Sequence, residues 1–144
     1  MIWTLSVECV SGWYLEENCK RIIEIKSNSS LYDLHYAIQD AVGFGYDHPF
    51  EFYAGRNYRN RKLFFGIDLD DGDPIGSYSD LTLAQVYPLP NNLILFYHFD
   101  FGDNWYFEIR KSRKQPTEPV DGVKYPRVIE KVAPNPVQYP RWEE

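Results

Sequence analysis

Ser30-Leu31-Tyr32-Asp33-Leu34-His35-Tyr36-Ala37-Ile38-Gln39-Asp40-Ala41-Val42-Gly43 is the stretch that decides the fold. Leu31, Leu34, His35, Ile38, Ala41 and Val42 recur at helical spacing and define one apolar face. Ser30 is placed as N-cap, with Asp33 three residues on to complete a capping box. Gly43 suits the left-handed position that ends a helix. One amphipathic helix is thus expected, with its apolar face needing a partner.

The flanking segments supply that partner. Trp3, Leu5, Val7 and Cys9 alternate with Thr4, Ser6 and Glu8, the period of a half-buried strand. A polar connection from Ser11-Gly12 through Glu16, Glu17 and Asn18 leads to Ile23 and Ile25, which alternate with Glu24 and Lys26. These two strands read as a hairpin. Beyond the helix, Phe50, Phe52 and Ala54 alternate with Glu51 and Tyr53, and Lys62 to Gly66 reads as a short strand. Ser79 or Asp80 would cap one helical turn over Leu81 to Val86. Leu93 to Phe99 is apolar at almost every position, as in a strand covered on both faces. After Asp100-Phe101-Gly102-Asp103, alternation resumes at Trp105, Phe107 and Ile109, giving a second hairpin. Val128 and Val132 flank a last strand, and Pro134, Pro136 and Pro140 keep the tail from about residue 133 extended or irregular. The order points to an α+β class, a β-grasp-like (ubiquitin-like) mixed sheet with one main helix packed across it, in a single domain over residues 1–144.

Composition agrees with a packed core. Of 144 residues, 44% are hydrophobic and 17% aromatic, which excludes disorder. The net charge of −6 disfavours nucleic acid as a partner on average. Charge is nonetheless blocked. Arg56, Arg59, Arg61 and Lys62 surround Tyr58 without an acid, Arg110, Lys111, Arg113 and Lys114 form a second basic group, and Asp68, Asp70, Asp71, Asp73 and Asp80 form an acidic stretch that reads as an exposed loop. The basic groups suit phosphates or an acidic partner, or simply face solvent. Cys9 and Cys19 could face each other across the first hairpin. No export signal accompanies them, so thiols in a cytoplasmic protein are expected. No run reaches the roughly 20 apolar residues of a membrane span.

Two segments carry a resemblance. Leu31-Tyr32-Asp33-Leu34-His35 leads through Ile38-Gln39-Asp40-Ala41-Val42-Gly43-Phe44 to His48-Pro49-Phe50-Glu51-Phe52; Tyr97-His98-Phe99-Asp100-Phe101-Gly102-Asp103-Asn104-Trp105 follows later. Together they resemble the pRiA plasmid ORF-three-like family, also labelled insertion-sequence passenger TnpR-type, from about Met1 to Arg141. The resemblance implies a small α+β protein associated with mobile genetic elements, with no established activity. Two positions depart from the family pattern. Phe107 stands where many members have His, and Ala133-Pro134-Asn135-Pro136 stands where many have a Pro-Pro-Glu-Asp-x-Gly-Gly-type segment.

The candidate chemistry centres on His98, Asp100, Asp103 and Trp105. Two carboxylates three residues apart on a turn suit a cation or an acid and base pair. The same residues also describe a tight turn: Asp bonded to its own backbone, Gly102 at positive φ, and Trp105 buried with its indole N–H bonded. His35 reads as a core histidine and His48 as bonded to a backbone carbonyl. Asp68-Leu69-Asp70-Asp71-Gly72-Asp73 fails the calcium-loop pattern, because its glycine is one place late and no Glu closes it. Walker, GxSxG and HExxH motifs are absent. Neither a catalytic set, a metal site nor a cofactor is expected. The residues favour, in order, a non-catalytic protein-interaction module, a nucleic-acid-linked accessory protein or acidic nucleic-acid mimic, and a hydrolase or metal-dependent enzyme using the Asp100/Asp103 turn. Candidate binding residues are His98, Asp100, Asp103, Trp105, Arg56, Tyr58, Arg59 and Arg61.

Overall fold

The computed structural model describes residues 1–67, 78 and 80–140. The acidic stretch over residues 68–77 and the capping position Ser79 lie outside them. Tyr78, at the end of that stretch, is buried rather than part of an exposed loop, and its hydroxyl donates to the Phe50 carbonyl.

Among the described residues, seven strands form one sheet: β1 (Ile2–Ser11), β2 (Cys19–Lys26), β3 (Phe50–Gly55), β4 (Leu63–Ile67), β5 (Ile94–Phe99), β6 (Trp105–Lys111) and β7 (Arg127–Val132), in the order β4-β3-β5-β6-β1-β2-β7. The class is α+β. All six pairings in that order are antiparallel, so the mixed sheet expected from the element order is not what forms. Three pairs, β1–β2, β3–β4 and β5–β6, join strands consecutive in the chain, and each reversal between them returns the chain in the opposite sense. β5 lies inside the sheet, as its unbroken apolar run requires.

The helix α1 (Leu31–Val42) has the caps the sequence dictates. Ser30 Oγ accepts from the Asp33 amide, the Asp33 carboxylate accepts from the Ser30 amide, and Gly43 takes φ 74°. Its apolar face covers one side of the sheet. His35 stacks on Phe50 at 3.8 Å, while Phe44, just past the helix, packs edge-on against Trp105 at 5.0 Å. Leu34 and Ile38 are fully buried in the same core as Leu5, Ile23, Phe52, Tyr97 and Phe107. The short helix α2 (Leu83–Val86) is capped by Thr82 paired with Gln85, not by Asp80. Thr82 wins because its side chain reaches the Gln85 amide while Gln85 returns to the Thr82 amide.

The opposite face is covered unevenly. Glu51 and Tyr53 on β3 and Phe96 and His98 on β5 are buried there, beneath the loop of residues 56–62. Tyr53 donates its hydroxyl to the Tyr58 carbonyl, which ties that loop down. The loop doubles back so tightly that a Cβ on Gly55 would fall 1.5 Å from the Asn60 carbonyl oxygen.

The tail over residues 133–140 has no helix or strand, as its prolines imply, yet it is anchored to the sheet. Arg21, buried on β2, donates to the Ala41, Lys20, Val132 and Ala133 carbonyls and to Asn135 Oδ1. One guanidinium thereby holds the last turn of α1, the end of β7 and the first residues of the tail. Its charge also lies at the negative end of the helix dipole. Cys9 and Cys19 face each other across β1–β2 as buried free thiols.

Candidate functional site

Two polar groups flank the β5–β6 turn, and each gathers residues from separate parts of the chain. The first lies on the sheet face opposite α1. Glu51, His98 and Tyr106 are successive cross-strand partners on β3, β5 and β6. Arg61 folds inward over the Tyr53 ring, 4.6 Å from its centre, and pairs with the Glu51 carboxylate. Its Nη2 also lies 3.3 Å from His98 Nδ1 and 3.5 Å from the Tyr106 hydroxyl. The His98 ring stacks on Tyr106 at 4.3 Å, and its Nε2 is 2.8 Å from Asn104 Oδ1.

Burial pushes the His98 pKa down to about 4, assisted by the Arg61 charge and opposed by the Asn104 hydrogen bond and the Asp100 charge. The ring is therefore neutral near pH 7, and its 3.1 Å contact with Glu51 is not an ion pair. Asn104 Oδ1 beside Nε2 and the Glu51 carboxylate beside Nδ1 both only accept, so the single proton of the neutral ring serves one of them, and Arg61 donates to Nδ1 when that proton is on Nε2. Glu51 is balanced by Arg61 alone. His98 and Arg61, expected as members of different candidate sites, thus belong to one buried cluster. Arg56, Arg59 and Lys62 stay exposed on the same loop, with Arg59 5.2 Å over the half-buried Tyr58 ring.

The second group is the turn itself. Asp100 is buried, and its Oδ1 accepts from the Gly102 and Asp103 amides at 3.0 and 3.2 Å, while the Asn104 amide reaches the Asp100 carbonyl at 2.7 Å. Asp100 closes the turn as the sequence implies. Positive φ falls on Asp100 (64°) and Asn104 (54°), not on Gly102. Asp and Asn tolerate that region because their short side chains bond locally. Trp105 is fully buried, yet its indole nitrogen has no hydrogen-bond partner among the described residues, against expectation. Packing dominates its placement: the ring lies so close to Gly12 that a Cβ there would come within 2.3 Å of it.

His48 meets the turn from α1's side. Its Nε2 is 3.4 Å from Asp100 Oδ2 and 2.6 Å from the Tyr139 hydroxyl, and no backbone carbonyl is among its partners in the described residues. Tyr139 donates to Asp47 at 2.6 Å, and Gln138 bridges Asp47 and the Gly45 amide. The tail thereby seals against the loop of residues 44–49. Desolvation opposes ionisation of Asp47, yet the Tyr139 and Gln138 hydrogen bonds hold its carboxyl below the usual value. Desolvation and the Asp47 carboxylate push the Tyr139 hydroxyl up to about 12. Asp103 is half-buried, its carboxyl raised by desolvation and the Asp100 charge. His35 is a satisfied core histidine. Burial lowers its pKa to about 4, and the neutral Nδ1 lies 2.5 Å from the Tyr97 hydroxyl.

Chemically, this arrangement binds its own chain. Asp100 Oδ1 accepts from two backbone amides, His48 Nε2 stands 3.4 Å from Oδ2, and the His98 nitrogens face Asn104, Glu51 and Arg61. No cluster of three or more His, Cys, Asp or Glu side chains suited to a metal ion occurs among the described residues.

Around this end of the sheet stands a rim of exposed aromatics that composition alone does not locate. Trp13 is 76% exposed, Tyr139 55%, Tyr36 48% and Tyr46 44%. Trp13 is held by its amide on the Asp103 carbonyl, and Tyr36 packs 5.4 Å from Tyr46. Beside Trp13 opens a groove of about 430 Å³ between Tyr14, Leu15 and the tail residues Pro134, Pro136 and Val137, with Glu16 and Glu17 in its lining. The signal for Trp13 was a large apolar residue set in a polar connection. For Tyr139 and His48 there was none, since 91 residues separate them.

No helix among the described residues is long and apolar enough to cross a membrane. No curated protein matches the chain. A crystal structure of a protein of unknown function, MM3350 from Methanosarcina mazei Go1, is similar at a TM-score of 0.71 and 28% identity, over 90% of this chain and 68% of that one. The family model described as plasmid pRiA4b ORF-3-like protein matches residues 13–138, so the chain belongs to the plasmid pRiA4b ORF-3-like protein family.

Proposed function

We propose that this protein is a non-catalytic protein-interaction module that engages its partner through the end of the sheet carrying Trp13. The observation that carries this reading is Trp13 itself, 76% exposed beside an apolar groove. A large indole held in water by a rigid loop resembles the aromatic anchors that dominate binding energy at interfaces. Tyr36, Tyr46 and Tyr139 extend the same surface. Glu16 and Glu17 line the groove with no basic residue beside them among the described residues, so the partner segment is expected to carry apolar residues flanked by Lys or Arg. The Asp100–Trp105 turn supports this surface from beneath by fixing the β1–β2 connection through Asp103.

Affinity capture from the native host lysate tests the reading, with wild type compared against Trp13→Ala and Arg59→Glu. A protein retained by wild type and by Arg59→Glu but lost by Trp13→Ala supports it. Capture indifferent to Trp13 would overturn it. The nucleic-acid reading rests on Arg56, Arg59 and Lys62, which stay exposed on one loop. Duplex or single-stranded DNA bound at low salt, released as salt rises and lost in Arg59→Glu, would support that reading instead.

A further inference from the structure

The second basic group, Arg110 to Lys114, has no role in the surface described above. β1 runs from Trp3 toward Trp13, and β6 from Trp105 toward Lys111, with Leu5 opposite Lys111 and Cys9 opposite Phe107. Trp3 and Lys111 therefore lie at the end of the sheet away from Trp13. There the segment of residues 87–93, following α2, stands off the sheet and leaves an open cleft of about 660 Å³.

Its lining combines two features. The half-buried side chains of Trp3, Tyr87, Leu89 and Leu93 provide apolar surface, with Trp3 and Tyr87 in edge-to-face contact at 5.9 Å. Arg110, Lys111 and Arg113 bring three cations, and no Asp or Glu among the described residues lines the cleft, in a chain whose net charge is −6. Arg110 is paired with Glu108 at 2.5 Å. Lys111 holds its ammonium over the Trp3 ring at 4.6 Å, and Arg113 is exposed. Neither Lys111 nor Arg113 is paired with a carboxylate among the described residues, and the Trp3 ring leaves the Lys111 charge uncompensated, so both can meet an anion.

We infer that this cleft is a binding site for a ring-bearing organic anion of mononucleotide size, its ring against Trp3 and Leu93 and its phosphate between Lys111 and Arg113. The volume lies in the range of small-molecule sites. Two cations beside one aromatic wall match a multiply charged phosphate better than a singly charged fatty acid. A guanidinium grips phosphate through two parallel hydrogen bonds, and aromatic faces accept a nucleobase of any identity. The inference is independent of the partner surface at the opposite end.

Calorimetric titration of the full chain with ATP, adenosine and tripolyphosphate tests it. ATP is expected to bind more tightly than either half alone, and less tightly as salt is raised. Lys111→Glu/Arg113→Glu should weaken ATP by about tenfold or more, whereas Arg59→Glu leaves it unchanged. Arg113→Glu alone, at an exposed loop position, keeps the test valid should the double variant lose its fold, and should still weaken ATP several-fold. Absence of ATP binding, equal binding by the variants, or tripolyphosphate binding as tightly as ATP would each overturn the assignment.

Discussion

In the β5–β6 turn, Asp100 and Asn104 take positive φ and Gly102 between them does not. The reason is the side chain of Asp100, which gathers two backbone amides and compensates its own strained backbone. Among the described residues, a Cβ on Gly102 would meet Asp100 Oδ1 alone, at 3.3 Å. Gly102→Ala should therefore change stability by less than about 1 kcal/mol. Asp100→Ala should cost about 2 kcal/mol or more, because a left-handed backbone loses its local bonds and two amides lose their acceptor. Urea unfolding of both variants checks this, and equal losses would contradict it. Arg21 teaches the complementary lesson. Parity along β2 places it inward with Cys19, Ile23 and Ile25, so its burial was legible in principle. What alternation could not supply is the set of carbonyls waiting for it, which come from α1, β7 and the tail.

Elements were the most legible level. The helix emerged with its N-cap, capping box and left-handed terminator where the sequence puts them, because each is a local device within a few residues. Leu34 is fully buried beneath it, and Leu34→Ala should destabilise the protein by roughly 2–5 kcal/mol, measurable by chemical denaturation. A loss below about 1 kcal/mol would mean that α1 does not pack as described. The one-turn helix α2 ends at Val86 as expected but starts at Leu83, two residues later than Leu81, since Asp80 and Thr82 both offer an oxygen and only the reciprocal pairing with Gln85 decides between them. Strand pairing was the least legible. Hairpins can be read from neighbouring segments, but the adjacency of β1 to β6 and of β2 to β7 depends on contacts about a hundred residues apart.

On the scale of the whole molecule, the buried histidines link stability to pH. His35 and His98 each have a folded-state pKa near 4, depressed below an ordinary value of 6.5. Between those limits the unfolded chain binds more protons than the folded one, so stability rises with pH there. It is fully present above about pH 6.5 and falls as pH drops toward 4, by on the order of 3 kcal/mol per histidine. Thermal melts across that range should show Tm falling with acidification, and His35→Phe should flatten part of the slope. A Tm constant from pH 7 to pH 4.5 would contradict the burial of both rings as neutral imidazoles.

The two ends of the sheet also differ in what they display: exposed aromatics with Glu16 and Glu17 at one, and an apolar cleft with Lys111 and Arg113 at the other. Composition reported the charges and the aromatics but not their separation, which follows from the direction of β1 and β6. Site-specific photo-crosslinking in the native host tests the central claim, that the Trp13 end meets a protein partner, most directly. A photoreactive amino acid is placed at position 36, 46, 59 or 111 in turn, with Trp13 left in place, and covalent adducts are resolved by mass. The account predicts one shared protein adduct from positions 36 and 46 and none from positions 59 and 111. An adduct confined to position 59, or none at positions 36 and 46, would contradict it.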